Sequence, residues 1–390
     1  MTNSIREIRD ADCILVIGSN TGESHPIISY EVVRAVKRGA TLIVIDPRKI
    51  SLVRHAALHL RPAPGTDHAL YMGMLHTILA HGWHDQEFIA ARTEGFDDLA
   101  TSLQPWTPEA ASAACGVPAE QIVEAARCYA LGLRRQASPN GAIPPSRGAS
   151  SILYGMGITE RANGTELVKT MANLAMITGQ IGRPSTGVNP LRGQNNVQGG
   201  CDMGSLPNVY PGYQKVEDPE VRAKFARAWS RRRAKTQPLD LPPTRGLTYM
   251  EMLRAAAAGQ IKAMYIVGAN AVMTCPDSGL VERALRALDF LVVQEIFPTE
   301  TAQLAHVVLP AASFAEKNGT FVNTERRFQL VRPFLPAPGG ARPDWQIIGE
   351  VGRRLGRRLH RPVRWEYAST AEIMREVASL CPSFAGISHE

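Results

Sequence analysis

The sequence has few cysteines, and none of them lies at a metal-binding spacing. Six cysteines are scattered over 390 residues without a C-x-x-C pair. Because iron–sulfur clusters and structural zinc ions are held by clustered Cys or Cys/His ligands, we expect neither in this chain and assign no metal-ligating residue. Scattered cysteines are also typical of a reducing compartment. The sequence therefore predicts a cytoplasmic protein.

Long apolar runs are missing as well. Residues 1–12 contain no apolar signal core, and no run approaches the roughly 20 apolar residues that a membrane helix needs. The net charge is +7, with one basic run at 231–233 that no interleaved aromatic residues accompany. We therefore predict neither a membrane span nor nucleic-acid binding. A basic pocket for an anionic cofactor would also explain the positive charge.

The loop after the first predicted strand lacks the G-x-G-x-x-G fingerprint, which disfavours an ordinary nicotinamide-dependent dehydrogenase. The elements of a related fold are nevertheless present. Apolar runs at 12–18 and 40–47 predict buried parallel strands, with helical spacing over 27–38 between them. Such βαβ units build doubly wound sheets that bind ligands at the C-terminal ends of the strands.

Two polar positions follow this unit. Asp46 ends the second strand and is either a ribose-binding carboxylate or a turn-forming Asp before Pro47. After Gly65, Thr66 or Asp67 is a candidate cap of a helix, whose N-terminus could bind a phosphate.

Further helices follow these positions. The pattern stays helical over 69–90, and Pro and acidic residues predict helix starts at 107–109 and 117–120. The Pro-rich segment 134–150 is predicted to be a surface linker, and 152–159 a strand running into a glycine turn.

The second half of the chain repeats part of this pattern. The run 263–270 predicts another strand that ends in a Gly/Asn turn, and 290–302 a strand that ends in polar residues. The spacing Gly18-x-Asn20 recurs as Gly268-x-Asn270. This repeat predicts two similar nucleotide half-sites.

Between the halves lies a stretch rich in glycine and amides, 187–204, which contains a single guanidinium, Arg192. A solvated loop and a buried polar platform are equally compatible with this composition. As a platform, its glycines would let the backbone approach a ligand, and its amides would offer donors and acceptors. Arg192 would bind a carboxylate or phosphate with its planar fork.

The motif V-N-P-L-R-G-Q-N-N-V-Q-G, followed by C-D-M-G and L-P-N-V-Y-P-G-Y, closely resembles the molybdenum- or tungsten-dependent formate dehydrogenases. These enzymes belong to the molybdopterin guanine dinucleotide oxidoreductases. The segments I-D-P-R-K, Y-G-M-G-I-T and G-T-F-V-N-T-E-R-R resemble the same family. The resemblance implies that Arg192 and Gln194 line a formate pocket beside the metal.

The resemblance also implies a cofactor, bis(molybdopterin guanine dinucleotide) with Mo or W, and residues that bind it. For His25 alone, a packing role at a helix N-terminus is the alternative. For Gln294 and Glu295, the alternative is an ordinary strand end. The first-arm and pterin candidates are Gly18, Asn20, Ser24, His25, Asp46, Arg48, Gly65, Thr66, Asp67, Gly155 and Gly157; the second-arm candidates are Gly268, Asn270, Gln294, Glu295 and Thr299.

The implied fold class is α/β, with two doubly wound, Rossmann-like domains whose mostly parallel sheets are interleaved along the chain. We expect a first domain at 1–194, with 343–371 returning to it, and a second domain at 195–342, with 372–390. In the family, an iron–sulfur segment and a Cys or selenocysteine metal ligand precede this region, and a β-rich domain follows it. The resemblance therefore implies a central fragment, with its 4Fe-4S cluster in the missing N-terminal part, and we expect the isolated chain to be inactive.

The implied function is oxidation of formate to CO2, with electrons passing to an iron–sulfur cluster and then to iron–sulfur and flavin- or NAD-type partner subunits. The alternative is a non-catalytic molybdopterin-binding or scaffold subunit of a multi-subunit oxidoreductase. Formate turnover distinguishes the two, whereas metal content distinguishes both from an ordinary dehydrogenase.

Overall fold

A computed structural model describes residues 1–135, 146–230, 239–360 and 365–390. Its chain forms two compact units. The first contains Met1–Asn195 and Thr324–Arg327, and the second contains Asn196–Asn323 and Phe328–Glu390. The basic run 231–233 and most of the predicted linker 134–150 lie outside the described residues.

The first unit is built on a five-stranded sheet in which every neighbouring pair is parallel. The strand order is β3-β2-β1-β4-β5, so the chain leaves β1 toward one side of the sheet and later returns on the other. The strands are β1 (Cys13–Ile17), β2 (Thr41–Ile45), β3 (Leu58–Leu60), β4 (Ser150–Tyr154) and β5 (Gly187–Pro190).

Helices cover both faces of this sheet. Alternate residues of β1 explain why, since Leu15 and Ile17 pack into one buried cluster while Ile14 and Val16 pack into another. A parallel strand buried on both faces has a continuous apolar sequence. The helices are α1 (Thr21–Ser24), α2 (Pro26–Lys37), α3 (Asp67–Ala80), α4 (Gln86–Arg92), α5 (Phe96–Leu103), α6 (Pro108–Cys115), α7 (Ala119–Leu131), α8 (Met156–Thr159) and α9 (Gly164–Ile177), with 3-10 helices at Ile5–Asp10 and Ser51–His55.

The pattern predicted as helical over 69–90 contains two helices instead of one. The first ends at Ala80, and Gly82 adopts a positive φ of 67°. Asp85 then accepts a hydrogen bond from the Phe88 N–H at 3.0 Å and so caps α4. A local cap therefore starts a new helix within an apolar pattern that continues through both.

The second unit is built on a three-stranded parallel sheet of order β10-β9-β8, beside two antiparallel hairpins, β6–β7 and β11–β12. The strands are β6 (Val209–Tyr210), β7 (Gln214–Lys215), β8 (Ala263–Val267), β9 (Phe290–Glu295), β10 (Val307–Pro310), β11 (Gly319–Val322) and β12 (Phe328–Val331). The helices are α10 (Val197–Asp202), α11 (Pro219–Trp229), α12 (Tyr249–Ala257), α13 (Ala271–Thr274), α14 (Ser278–Arg286), α15 (Glu300–Gln303), α16 (Asp344–Arg358) and α17 (Thr370–Leu380), with a 3-10 helix at Pro382–Phe384.

The two faces of this smaller sheet differ. Met264, Ile266, Leu291 and Val293 lie on one face and pack against α12 and α14 residues in a buried cluster. The alternate positions of β8, on the other face, are exposed to solvent.

The predicted α/β class, with two Rossmann-like parallel sheets, is confirmed by this architecture. Thr324–Arg327 joins the first unit although it lies between segments of the second, a return that the predicted domain boundaries did not include. The described part of 343–371 belongs to the second unit, whereas the sequence predicted its return to the first. The domain boundaries therefore stay a prediction.

Among the described residues, no helix combines the length and apolar character needed to cross a membrane.

Candidate functional site

The strand arrangement brings every first-unit candidate to the same end of the sheet, where the strands have their C-terminal ends. Because all five strands are parallel, their C-terminal ends lie on the same side, and each candidate follows one of those ends. In open α/β sheets, ligands bind in the crevice outside these ends, where the chain direction switches. Here the switch lies between the neighbouring strands β1 and β4. From β1 the chain continues to β2 on one side of the sheet, and from β4 it continues to β5 on the other side.

The loops after β1 and β4 pack backbone against backbone. Gly18 has a φ of +51° and donates its N–H to the Ile45 carbonyl at 3.0 Å. The Gly157 N–H donates to the Gly18 carbonyl at 3.0 Å. A Cβ on Gly157 would lie 2.8 Å from the Gly18 oxygen, and one on Gly155 would lie 2.8 Å from the Ser19 Cβ. These glycines therefore have a structural role in this close approach, while their predicted cofactor contacts stay a prediction.

Two buried acceptors follow Gly18. Within the described residues, the Asn20 Oδ1 and the His25 Nδ1 are buried and have no hydrogen-bond partner. The His25 Nε2 lies 2.6 Å from the Arg192 carbonyl, which can only accept, so Nε2 carries the proton and Nδ1 of the neutral ring is an acceptor. Unpartnered buried acceptors are costly, and donors from a ligand would satisfy them. The Ser24 side chain, by contrast, is exposed.

Asp46 is buried at the end of β2, with 4% of its surface exposed. Its Oδ1 accepts a hydrogen bond from the Arg48 N–H at 2.8 Å, so it forms the turn that was one of its two predicted roles. The Arg48 guanidinium is 3.9 Å from this carboxylate and is mostly exposed. The ribose-binding role of Asp46 stays a prediction.

The turn at Gly65 leaves open space beside the start of α3. Gly65 has a φ of +95°, and a Cβ there would meet no atom of the described residues within 4 Å. The Thr66 hydroxyl donates to the Ala63 carbonyl at 2.7 Å, and although Thr66 is the N-cap residue, its side chain does not cap the helix. The first N–H groups of α3 therefore lack a side-chain cap from that residue.

Asp67, the first residue of α3, is held by an arginine that the sequence analysis missed. Its carboxylate lies 3.0 Å from the Arg161 guanidinium, and the Arg161 Nε donates to the Gly157 carbonyl at 2.6 Å. Burial raises the pKa of Asp67, and the nearby Arg161 charge opposes that rise. Arg161 links the β3 and β4 loops, a contact that no local sequence pattern predicts.

Arg192 follows β5, and both of its backbone polar groups are engaged. Its N–H donates to the Thr324 Oγ1 at 3.2 Å, and its carbonyl accepts from His25. Thr324 in turn donates to the Pro190 carbonyl at 2.9 Å. The backbone is thus fixed while residues Arg192 and Gln194 remain exposed, so this part of the glycine-rich stretch presents its side chains to solvent. Thr324 belongs to the N-T-E-R segment and was not among the predicted site residues.

The charge of Arg192 acts on two neighbouring groups. The pKa of Tyr154, at the end of β4, is raised by burial, and the Arg192 charge opposes this rise. The pKa of the Met1 amino group is lowered to about 6 by burial first and then by the charges of Arg326 and Arg192. The Arg192 and Arg326 side chains thus both lie close enough to residue 1 to act on its charge.

The second unit has a loop of the same local form. Gly268 has a φ of +60° and donates its N–H to the Gln294 carbonyl at 2.9 Å. The Asn270 side chain, however, forms hydrogen bonds within its own unit. It donates to the Glu300 carboxylate at 2.7 Å and accepts from the Thr301 hydroxyl at 2.9 Å.

The remaining second-arm candidates are also engaged locally. Gln294 is completely buried and donates to the Asp344 carboxylate at 2.6 Å while accepting from the Tyr265 hydroxyl at 2.5 Å. The Glu295 carboxylate accepts from the Ile296 N–H at 2.7 Å. The Thr299 hydroxyl caps α15 by accepting from Ala302. The structure brings these residues to the C-terminal end of β9 and gives each a structural role; their cofactor contacts stay a prediction.

Over the described ranges, no cluster of three or more His, Cys, Asp or Glu side chains is arranged to hold a metal ion. All six cysteines are free thiols.

Comparisons with known proteins agree with this geometry. The molybdopterin oxidoreductase family model matches residues 1–354. The chain is 46% identical over its full length to the F420-dependent formate dehydrogenase 1 subunit alpha of Methanococcus maripaludis, and covers 53% of that protein. It is 40% identical over its full length to formate dehydrogenase H of Escherichia coli, and covers 51% of it. The chain thus spans about half the length of these relatives.

A solved structure shares the fold. Acetylene hydratase from Pelobacter acetylenicus matches 99% of this chain with a TM-score of 0.72, while the chain covers 51% of that structure. The sequence identity is 22%, so this likeness concerns the fold alone.

Proposed function

The chain belongs to the molybdopterin oxidoreductase family, and we propose that it is the central part of a formate dehydrogenase catalytic subunit. The proposed reaction is oxidation of formate to CO2 at a metal held by bis(molybdopterin guanine dinucleotide). The observation that carries the proposal is Arg192, which lies within the family-like R-G-Q motif at the C-terminal edge of the parallel sheet. Its backbone is fixed on both sides by Thr324 and His25, and its side chain is exposed.

The residues of the first unit fit an anionic dinucleotide. Guanine and ribose carry N–H and O–H donors, which suit the unpartnered acceptors on Asn20 and His25. The open space at Gly65 and the N–H groups that begin α3 suit a phosphate. We therefore infer that the loops at the C-terminal ends of the first unit's strands hold one dinucleotide arm, with Asp46 near its ribose.

The second arm is assigned to the second unit because its Gly268–Asn270 loop has the same backbone form. There the Asn270 and Gln294 side chains already bond to their own unit. We therefore propose that this arm is bound mainly by backbone groups, with Thr299 and Glu295 at the end of β9.

When bound, the molybdopterin metal centre supplies the acceptor for the two electrons released when formate becomes CO2 and a proton. This chain binds and orients the substrate. The planar Arg192 fork matches the two formate oxygens, so the C–H bond points away from the guanidinium. Because formate loses its charge in the reaction, charge pairing alone would favour the ground state. Orientation is therefore the main contribution of Arg192, and Gln194 would help fix it by a hydrogen bond.

For the wider assembly, we propose iron–sulfur and flavin- or NAD-type electron-transfer subunits as partners and the cytoplasm as location. The free thiols are compatible with a reducing compartment.

The test replaces Arg192 by Lys in the assembled enzyme, which keeps the charge and removes the fork. We expect kcat/KM for formate-dependent reduction of a viologen dye to fall by about a hundredfold, the scale of a small misplacement of reacting groups. Arg92→Lys is the matched control, because Arg92 is exposed at the end of α4, away from the strand ends.

Unchanged turnover in the Arg192 variant would contradict the assignment. An assembled wild-type protein that retains molybdopterin but never oxidises formate would favour the alternative, a non-catalytic molybdopterin-binding subunit.

A further inference from the structure

The outer edge of β8 has no strand neighbour among the described residues. β9 pairs with β8 on one side, in the register Ala263↔Phe290 to Val267↔Gln294, and the sheet ends at β8. The Gly268 N–H points toward β9. Since N–H groups alternate sides along a strand, those of Tyr265 and Val267 point away from β9. Proteins normally cover such edges.

A groove runs along this edge. It is a cavity of about 290 Å³ between β8 and α12. Its walls are almost entirely apolar, and the residues around it include exposed large side chains such as Tyr249, Met252 and Tyr265. Apolar surface of this kind is unfavourable in water.

The first unit shows what fills the corresponding position. β1 pairs with β2 on one side and with β4 on the other. After β4, Gly157 packs so closely on Gly18 that a Cβ on Gly18 would lie 3.1 Å from its backbone. Gly268 has nearly the same conformation, yet a Cβ there would meet none of the atoms that the structure describes within 4 Å. Ala269, which corresponds to Ser19, lines the groove.

We propose that the β8 edge is the docking surface for a further parallel strand from a polypeptide outside these 390 residues. The occupant is an apolar extended segment of about five residues, the length of β4, followed by a glycine turn that packs on Gly268 and Ala269. Relatives of this chain contain about as much polypeptide outside the matched region as within it. A second copy fits less well, because two β8 edges related by a two-fold axis perpendicular to the sheet would pair antiparallel. This inference does not depend on formate as the substrate.

Amide hydrogen exchange tests the docking directly. It is measured at single residues in the isolated 390-residue chain and in the assembled enzyme purified through a tag on this chain. The Tyr265 and Val267 amides exchange rapidly in the isolated chain and slow by about a hundredfold in the assembly, as expected when an open edge becomes paired. The Met264 and Ile266 amides, which face β9, are the internal control and are protected in both samples.

Met252→Glu places a charge in the groove at an exposed position of α12. It abolishes the protection of Tyr265 and Val267 in the assembly, or prevents assembly, while the Met264 and Ile266 amides stay protected and show that the unit is folded. Ala257→Glu, exposed on the same helix and outside the groove lining, leaves the protection unchanged.

Three results would overturn the proposal. The outward amides could be protected in the isolated monomer, they could become protected only as the isolated chain self-associates, or they could exchange rapidly in the assembled enzyme.

Discussion

The loops at Gly18–Asn20 and Gly268–Asn270 have the same backbone form but different surroundings. The asparagines have φ, ψ values of −80°, 66° and −87°, 74°. In each loop, the asparagine carbonyl accepts from the N–H groups three and four residues later, at 2.9–3.1 Å. The glycine N–H crosses to the end of the neighbouring strand in both cases.

The side chains of the two loops make different contacts. The Asn20 Oδ1 is buried without a partner in the described structure, whereas the Asn270 amide bonds to Glu300 and Thr301. β1 is enclosed by strands on both sides, whereas β8 has a strand neighbour on one side only within the described part of the chain. The G-x-N spacing thus determines the turn, and the neighbouring elements determine which polar atoms remain for a ligand.

The largest expected difference concerns burial at corresponding strand positions. Ile17 of β1 is fully buried, whereas Val267 of β8 is 43% exposed. Ile17→Ala should lower the free energy of unfolding by about 2–5 kcal/mol, because it removes packed methyl groups and leaves a cavity. Val267→Ala should change it by no more than about 0.5 kcal/mol. Urea unfolding of the 390-residue chain measures both, and equal losses would mean that β8 is as enclosed as β1.

A second pair of variants compares the two loop asparagines in their effects on stability and on nucleotide binding. Asn270→Ala should destabilise the isolated chain by about 1 kcal/mol, because it leaves the buried Thr301 hydroxyl without its acceptor. Asn20→Ala should barely change the stability of that chain, since the Asn20 Oδ1 has no hydrogen-bond partner among the described residues. In the assembled enzyme, Asn20→Ala should instead lower the retention of nucleotide after gel filtration. A large stability loss in the Asn20 variant, with full nucleotide retention, would refute the ligand-facing role.

The smallest expected effect is a change in the pKa of one carboxyl group, that of Glu300. The hydrogen bond from Asn270 lowers the pKa of Glu300, so its stabilising effect is present above the ordinary glutamate pKa and disappears as the pH falls through the lowered value. Asn270→Ala should raise the pKa of Glu300 toward its ordinary value and flatten the pH dependence of stability in that acidic window. NMR titration can follow this shift. Glu251, whose pKa is lowered to about 2 by Arg245, is the control and should not move.

The sequence was sufficient for the elements whose signals are local. The apolar runs at 12–18, 40–47 and 263–270 contain β1, β2 and β8, and the helix predicted at 27–38 is α2 within one residue at each end. The repeated G-x-N spacing also predicted two similar turns correctly. These features depend on side-chain period and on glycine conformations that neighbouring residues determine.

Contacts between distant segments could not be predicted in this way. The approach of Gly157 to Gly18, the pairing of Arg161 with Asp67 and the bond from Arg192 to Thr324 each join loops that only the strand order brings together. For the same reason, the sequence could not distinguish the unpartnered Asn20 from the internally bonded Asn270.

The most direct test of the account is the nucleotide content of the assembled enzyme that contains this chain. Acid hydrolysis followed by chromatography measures the guanosine monophosphate released per molybdenum or tungsten atom. If each of the two similar half-sites binds one dinucleotide arm, about two equivalents should be released per metal atom, and Asn20→Ala should lower the nucleotide bound per polypeptide more than Asn270→Ala. Release of one equivalent or none, or of a different nucleotide, would contradict the claim that both loops bind guanine dinucleotide arms.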